Sequence, residues 1–180
     1  ASVFERTPIQ YHERLPGFAE SSDTRVPIAD GTRIDVTVGG CVLGEHGTHL
    51  DSCDWQLDLQ FGVVRRTAVW AVGARRLEIT SERVMPGRPG ASLALRYTVR
   101  SIDFEGDLHL TSRLDVSSRN AREGDDPRIG VNLVGGGLYA VAEGVRGDCS
   151  FTVQQTARSN LWVAAAQTHR LSESTCTPRS

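Results

Sequence analysis

A chain of 180 residues and 19.6 kDa can form one large domain or two small ones, and a single domain of this size removes about 70% of its unfolded surface from water without metal or disulfide staples. The 20 basic residues, every one an arginine, against 22 acidic ones leave a net charge of −2, which argues against nucleic acid or an anionic membrane as partner. The longest apolar run, residues 161–166, falls far short of the about 20 residues that cross a bilayer, and no signal-peptide core opens the chain, so it reads as soluble and cytoplasmic.

The first segment, up to Ile34, is punctuated by Pro8, Pro16 and Pro27 and carries Tyr11, His12, Glu13 and Phe18 around a turn at Pro16-Gly17. Proline removes ladder donors, so this part reads as a sheet edge or a draped loop with aromatic side chains. From Ile34 onward the signal is period two: Ile34, Val36, Val38; then Cys53, Trp55, Leu57, Leu59; then Leu93, Leu95, Tyr97, Val99; then Leu108, Leu110, Leu114, Val116. Successive side chains of an extended chain point to opposite faces, so each run predicts a strand with one core face and one wet face. Turn signals separate the runs at Asp30-Gly31, Gly39-Gly40, Glu105-Gly106-Asp107, Gly135-Gly136-Gly137 and Arg146-Gly147-Asp148. They predict hairpins, most clearly across residues 92–116, where two alternating runs flank the turn at 104–107. Residues 117–128 form the longest loop, and the tail after Ser172 has no apolar period. No window carries a helical period through a cap. About ten antiparallel strands in one chain imply two packed sheets, because one open sheet would leave a broad apolar face wet; the fold class is an all-β, large two-sheet antiparallel sandwich forming a single domain over 1–180.

His46, His49 and Cys53 make the one grouping with metal-ligand character, but a fourth ligand is missing and Cys53 belongs by alternation to the apolar set, so a turn followed by a core cysteine is the simpler reading and no metal is assigned. The four cysteines, Cys41, Cys53, Cys149 and Cys176, are too scattered for a disulfide framework. Asp51, Asp54 and Asp58 lie close together as a carboxylate pair for glycoside chemistry must, yet nothing near them raises one pKa as a general acid requires, and a solvated strand face explains them better. Arg146-Gly147-Asp148 matches an adhesion tripeptide but equally an ordinary glycine turn. No nucleophile elbow, Walker loop, dinucleotide turn or zinc-protease helix occurs. Trp55, Trp70 and Trp162 with Tyr11, Phe18 and Tyr97 are the aromatics that can stack on sugar rings; Trp55 and Tyr97 fall on core alternations, whereas Tyr11 and Phe18 lie outside any strand alternation.

Several stretches in order resemble the N-terminal domain of glycoside hydrolase family 65: Thr7-Pro-Ile-Gln-Tyr-His-Glu-Arg-Leu-Pro-Gly-Phe-Ala19 with Val26-Pro-Ile-Ala-Asp-Gly31, Trp55-Gln-Leu-Asp-Leu-Gln-Phe-Gly-Val-Val-Arg-Arg66 before Trp70, Arg76-Leu-Glu-Ile-Thr-Ser-Glu-Arg83, Leu95-Arg-Tyr97, and Asp103-Phe-Glu-Gly106 with Ser112-Arg-Leu-Asp115. The resemblance implies a supersandwich of the galactose mutarotase type. The physical reading of the residues agrees: alternation points Leu57 and Leu59 into the core, and Arg65 and Arg66 sit on the return strand, where one is placed to pair with an acid of the neighbouring strand. In that family the sandwich packs on an (α/α)6 barrel that carries catalysis, by an inverting reaction in which a barrel glutamate protonates the glycosidic oxygen while inorganic phosphate, the co-substrate of the phosphorylases, attacks the anomeric carbon; some members hydrolyse instead. No catalytic residue falls on this chain, and no cofactor is implied. The expected partners are the barrel of the same parent chain, a second copy in a homodimer, and the α-glucoside substrate of the parent. If any part reaches sugar, it is the segment with Tyr11, His12, Glu13 and Phe18. The rival is a free-standing, lectin-like carbohydrate-binding sandwich.

Overall fold

The computed structural model describes residues 2–9, 11, 13, 15–87, 91–117 and 137–172. The expected loop at 117–128 lies almost wholly outside them, as do His12, Gly135, Gly136 and Cys176. Among the described residues the elements are β1 (Ser2–Pro8), β2 (Ser21–Pro27), β3 (Asp30–Val38), β4 (Cys41–Val42), β5 (Thr48–Asp58), β6 (Val63–Val72), β7 (Arg75–Val84), β8 (Ala94–Ser101), β9 (Leu108–Asp115), β10 (Leu138–Arg146), β11 (Cys149–Thr156) and β12 (Trp162–Thr168), with no α-helix. They pair into four sheets, ordered β1-β2, β10-β11-β12, β4-β3-β9 and β5-β6-β7-β8. The chain is all-β, as the alternation predicts, and every register resolved between strands is antiparallel. It forms two compact units, Ile34–Ser112 and the combination of Ala1–Arg33 with Arg113–Ser180.

In the unit Ile34–Ser112, β3 turns into β4 through Gly39 and Gly40, whose φ of 56° and 83° give the type I′ geometry that matches the twist of the flanking strands. Val36 and Val38 of β3 pack on Val72, Leu77 and Ile79 of β6 and β7, with Trp70, Tyr97, Val99, Phe104 and Leu108 around them. Two sheets thus share one core here, the sandwich arrangement. Full burial of a side chain such as Leu77 contributes about 1.5–3 kcal/mol.

Two expectations are corrected in this unit. Residues 94–101 and 108–115 are strands, but they are not a hairpin: β8 pairs with β7, while β9 belongs to the sheet of β3. The turn between them is fastened as a crossing between layers. The backbone N–H of Arg76 donates to Asp103 Oδ1 at 2.6 Å, its guanidinium to Oδ2 at 2.8 Å, and Phe104 packs against the core. Alternation assigns a face to a strand and leaves its partner open. Second, Cys53, Trp55, Leu57 and Leu59 are exposed rather than buried, Leu57 at 61% and Leu59 at 84%. Cys53, Trp55 and Leu57 stand opposite Ala68, Arg66 and Val64 on the same face of the sheet as buried Ala68. The predicted face is right, but β5 is the edge strand and the core does not extend over this end of it.

On the other face Glu82 accepts from Arg65 at 3.0 Å and Arg96 at 3.3 Å, and Glu78 accepts from Arg100 at 3.3 Å. Arg65 is therefore the arginine paired with the neighbouring strand's acid, while Arg66 lies over the Trp55 ring, 5.4 Å from its centroid.

The unit built from Ala1–Arg33 and Arg113–Ser180 is organised differently. β1 and β2, where the sequence reads as a sheet edge or a draped loop, form a full antiparallel ladder from Ser2 opposite Pro27 to Pro8 opposite Ser21. Apart from Val26, which is buried opposite Val3, their inward positions are polar. Glu5 and Thr7 are fully buried, and the Thr7 hydroxyl shares a hydrogen bond with Thr24 at 2.6 Å. β11 repeats the pattern with Thr152, Gln154 and Thr156 buried at alternate positions. An inward row of this composition is invisible to a search for apolar periodicity.

Candidate functional site

The predicted sugar-facing segment is the loop joining β1 to β2. Ile9 N–H donates to Glu20 O at 3.0 Å and closes it, and Phe18 N–H donates to Leu15 O at 3.2 Å across the Pro16-Gly17 turn. Tyr11 and Phe18 come together, ring centroids 4.9 Å apart and tilted by 55°, a favourable aromatic pairing. Tyr11 is half-buried, Phe18 and Glu13 are exposed, and His12 lies outside the described residues.

The other sequence clusters resolve into structural roles. His46 sits in the turn before β5, where the Thr48 hydroxyl donates to Glu45 O at 2.8 Å and accepts from Gly44 N–H at 3.0 Å. His49 is exposed on β5, and the exposed Cys53 Sγ accepts from Arg66 Nε at 3.2 Å. No group of three or more metal-ligating side chains converges among the described residues. Asp54 accepts from Gln56 at 3.1 Å, and Asp58 accepts from the backbone N–H groups of Gln60 and Phe61 at 2.9 and 3.1 Å, capping the β5–β6 turn. Arg146-Gly147-Asp148 occupies the β10–β11 turn, with Gly147 at φ 64°.

Among the described residues, the carboxylates with a displaced acidity all move the same way. Hydrogen bonds from Arg65 hold Glu82 below the ordinary value, and those from Arg76 do the same for Asp103. The Ser117 hydroxyl and N–H, with Arg33, hold Asp115 down. Burial pushes Glu5 up, but the hydroxyl and N–H of Ser159, the Thr156 hydroxyl and the N–H of Arg158 outweigh it and leave it lowered. A general acid in glycoside chemistry needs the opposite displacement, because it must carry a proton at working pH.

One arrangement has no counterpart in the sequence motifs. On β10-β11-β12, Tyr139 stands opposite Gln155 and Gln155 opposite Trp162, so two exposed rings flank a glutamine in one cross-strand row. Trp162 is visible as a stacking candidate in the sequence, but Tyr139 is not; only the register joins them.

The model of the glycosyl hydrolase family 65 N-terminal domain matches residues 1–180. The chain belongs to this family. This family 65 domain matches proteins much longer than itself. It is 27% identical over 164 residues to an alpha,alpha-trehalose phosphorylase of Thermoanaerobacter brockii, covering 91% of this chain and 21% of that protein. It is 25% identical over 171 residues to an uncharacterised glycosyl hydrolase of Mycobacterium tuberculosis, covering 94% of this chain and 22% of the relative. Among solved structures, a human-microbiome protein assigned as a kojibiose phosphorylase superposes with a TM-score of 0.74 at 16% identity, over 96% of this chain and 21% of that one. The family 65 domain thus spans about a fifth of the proteins it resembles. Among its described residues no helix is long and apolar enough to cross a membrane.

Proposed function

We propose that this chain is the non-catalytic sandwich of a cytoplasmic family 65 enzyme acting on α-glucosidic disaccharides, and that it supports a catalytic barrel supplied by the same parent chain and contributes to a dimer contact. The observation that carries this reading is the match of the family 65 N-terminal domain over residues 1–180 of a chain that spans about a fifth of its relatives. Beside it, Glu5, Glu82, Asp103 and Asp115 each accept hydrogen bonds from fixed donors and so serve as structural acceptors. Asp54 and Asp58 are taken by a glutamine and by turn N–H groups. Inorganic phosphate, as co-substrate of a phosphorylase, would act at the barrel.

The test has two arms. The gene beyond codon 180 is expected to encode a helical region of several hundred residues, and a stop codon overturns the reading. The purified chain, given trehalose, kojibiose or maltose with phosphate, is expected to release neither glucose nor glucose 1-phosphate. Turnover abolished by one substitution within residues 1–180 also overturns it.

Within this proposal, the part that reaches the substrate is the β1–β2 loop with Tyr11, His12, Glu13 and Phe18. The paired rings of Tyr11 and Phe18 at an exposed loop support it, since they offer an apolar surface beside polar groups. Phe18→Ala in the parent enzyme is expected to raise KM for the disaccharide several-fold with kcat and the unfolding temperature retained; an unchanged KM removes the loop from the site.

A further inference from the structure

The outer face of β10-β11-β12 carries the row Tyr139, Gln155, Trp162, with Tyr139 exposed at 48% and Trp162 at 63%. The next row on this face is Ala142, Val153, Ala164, small or aliphatic and uncharged. The two rings belong to strands on either side of β11, whose backbones at this row are about 9–10 Å apart, with the glutamine between them. We infer that this row is a binding platform for a linear oligosaccharide of at least three hexopyranose units. Its outer sugars stack their C–H faces on Tyr139 and Trp162, and its middle sugar presents hydroxyls to the Gln155 amide.

Three features support a built surface. The polar groups are pre-set: Tyr139 OH donates to Gln155 Oε1, and Gln155 Nε2 donates to Asn160 O at 3.2 Å, fixing the amide plane. Each of these groups keeps unused hydrogen-bonding capacity for a ligand hydroxyl. The turn carrying Asn160 is held from below as well, because Arg158 and Ser159 N–H donate to the buried Glu5 carboxylate at 3.0 and 3.1 Å. Asn160 itself sits at φ 55°, the one described non-glycine residue with positive φ. Finally, β10 carries a bulge between Ala140 and Ala142, immediately beside Tyr139, where an extra residue re-aims the strand. Rigid aromatic surfaces bind with little ordering cost.

The occupant follows from size and charge. Three strands and four cross-strand rows make a flat area of about 200 Å2, well under the about 800 Å2 per partner that a stable protein interface buries. The two rows at the aromatic end carry no charge to select an ionic ligand. A neutral molecule with alternating apolar faces and hydroxyl edges is complementary to both. The inference goes beyond the supporting role proposed above and does not depend on it.

Tryptophan fluorescence and amide-resolved NMR of the 180-residue chain, titrated with glucose, maltotriose and cellotriose, test it. A trisaccharide is expected to bind in the millimolar range and to shift the amides of Tyr139, Gln155 and Trp162, with glucose about tenfold weaker. Trp162→Ala and Tyr139→Ala are each expected to weaken binding about tenfold while circular dichroism and unfolding temperature stay those of the parent chain, and Leu57→Ala, at an exposed position of another sheet, leaves it unchanged. Absence of binding by either trisaccharide overturns the platform. So does binding that survives Trp162→Ala. Either failure leaves the supporting role standing, because that role is read from turnover and gene sequence.

Discussion

Glu5 is a carboxylate without accessible surface, a position that only converging donors make tolerable. Ser159 supplies its hydroxyl and its N–H, and Arg158 supplies a second N–H at 3.0 Å. Their combined pull lowers the pKa despite burial, so the ionised form is bound more tightly in the folded chain than in the unfolded one. A depressed carboxyl contributes stability that is complete above its ordinary value of 4.5 and is lost as pH falls below that value through the folded pKa. Glu5→Gln places an N–H where a second donor already points, and is expected to cost about 2–3 kcal/mol at neutral pH. Urea unfolding followed across the acid range is expected to show the wild-type advantage shrinking below pH 4.5, whereas a constant gap between the two proteins would refute the charge argument.

At the scale of elements, legibility tracked the chemistry of the inward rows. β3 is readable because its inward residues are Val36 and Val38, whereas β1, which buries Glu5 and Thr7, carries no apolar period, and its segment reads as a sheet edge or a draped loop. Polar inward rows are specified by hydrogen-bond partners distant in sequence, and Glu5 meets its donors more than 150 residues away, so no local window contains the signal. Partner choice was hidden for the same reason, and β8 and β9, adjacent in sequence, went to different sheets. Of the predicted sugar-facing residues, the sequence placed Tyr11 and Phe18 on one irregular segment, but their ring contact depends on a turn it could only suggest. The edge position of β5 makes a sharp comparison possible. Leu77 and Leu57 lie on the same sheet face, one in the core and one at the uncovered margin. Leu77→Ala is expected to destabilise by about 2–5 kcal/mol through lost burial and a cavity, and Leu57→Ala by under about 0.5 kcal/mol. Chemical denaturation that returned similar losses for both would mean that β5 is covered in solution.

For the molecule as a whole, the exposed stretch of β5 and its turn poses a solubility problem. Trp55, Leu57, Leu59 and Phe61 are all exposed, Trp55 is only partly screened by Arg66, and β5 is an edge strand whose outer backbone groups have no ladder partner in the sheet. A net charge of −2 gives little repulsion between copies. The chain spans about a fifth of its relatives, and a surface of this kind suits the supporting role proposed for it, in which further sequence would cover it. By itself, the chain is therefore expected to self-associate. The driving force is apolar, so ammonium sulfate should strengthen association and sodium chloride at equal ionic strength should change it little, the reverse of what screening does to an ion-paired dimer. Light scattering across a concentration series in both salts measures this directly. Leu57→Glu together with Phe61→Glu should return a monomer without loss of stability, since neither side chain is in the core. A wild-type chain that stayed monomeric in sulfate would show that this edge is not adhesive, and would remove the expectation that it is a covered surface in a longer protein.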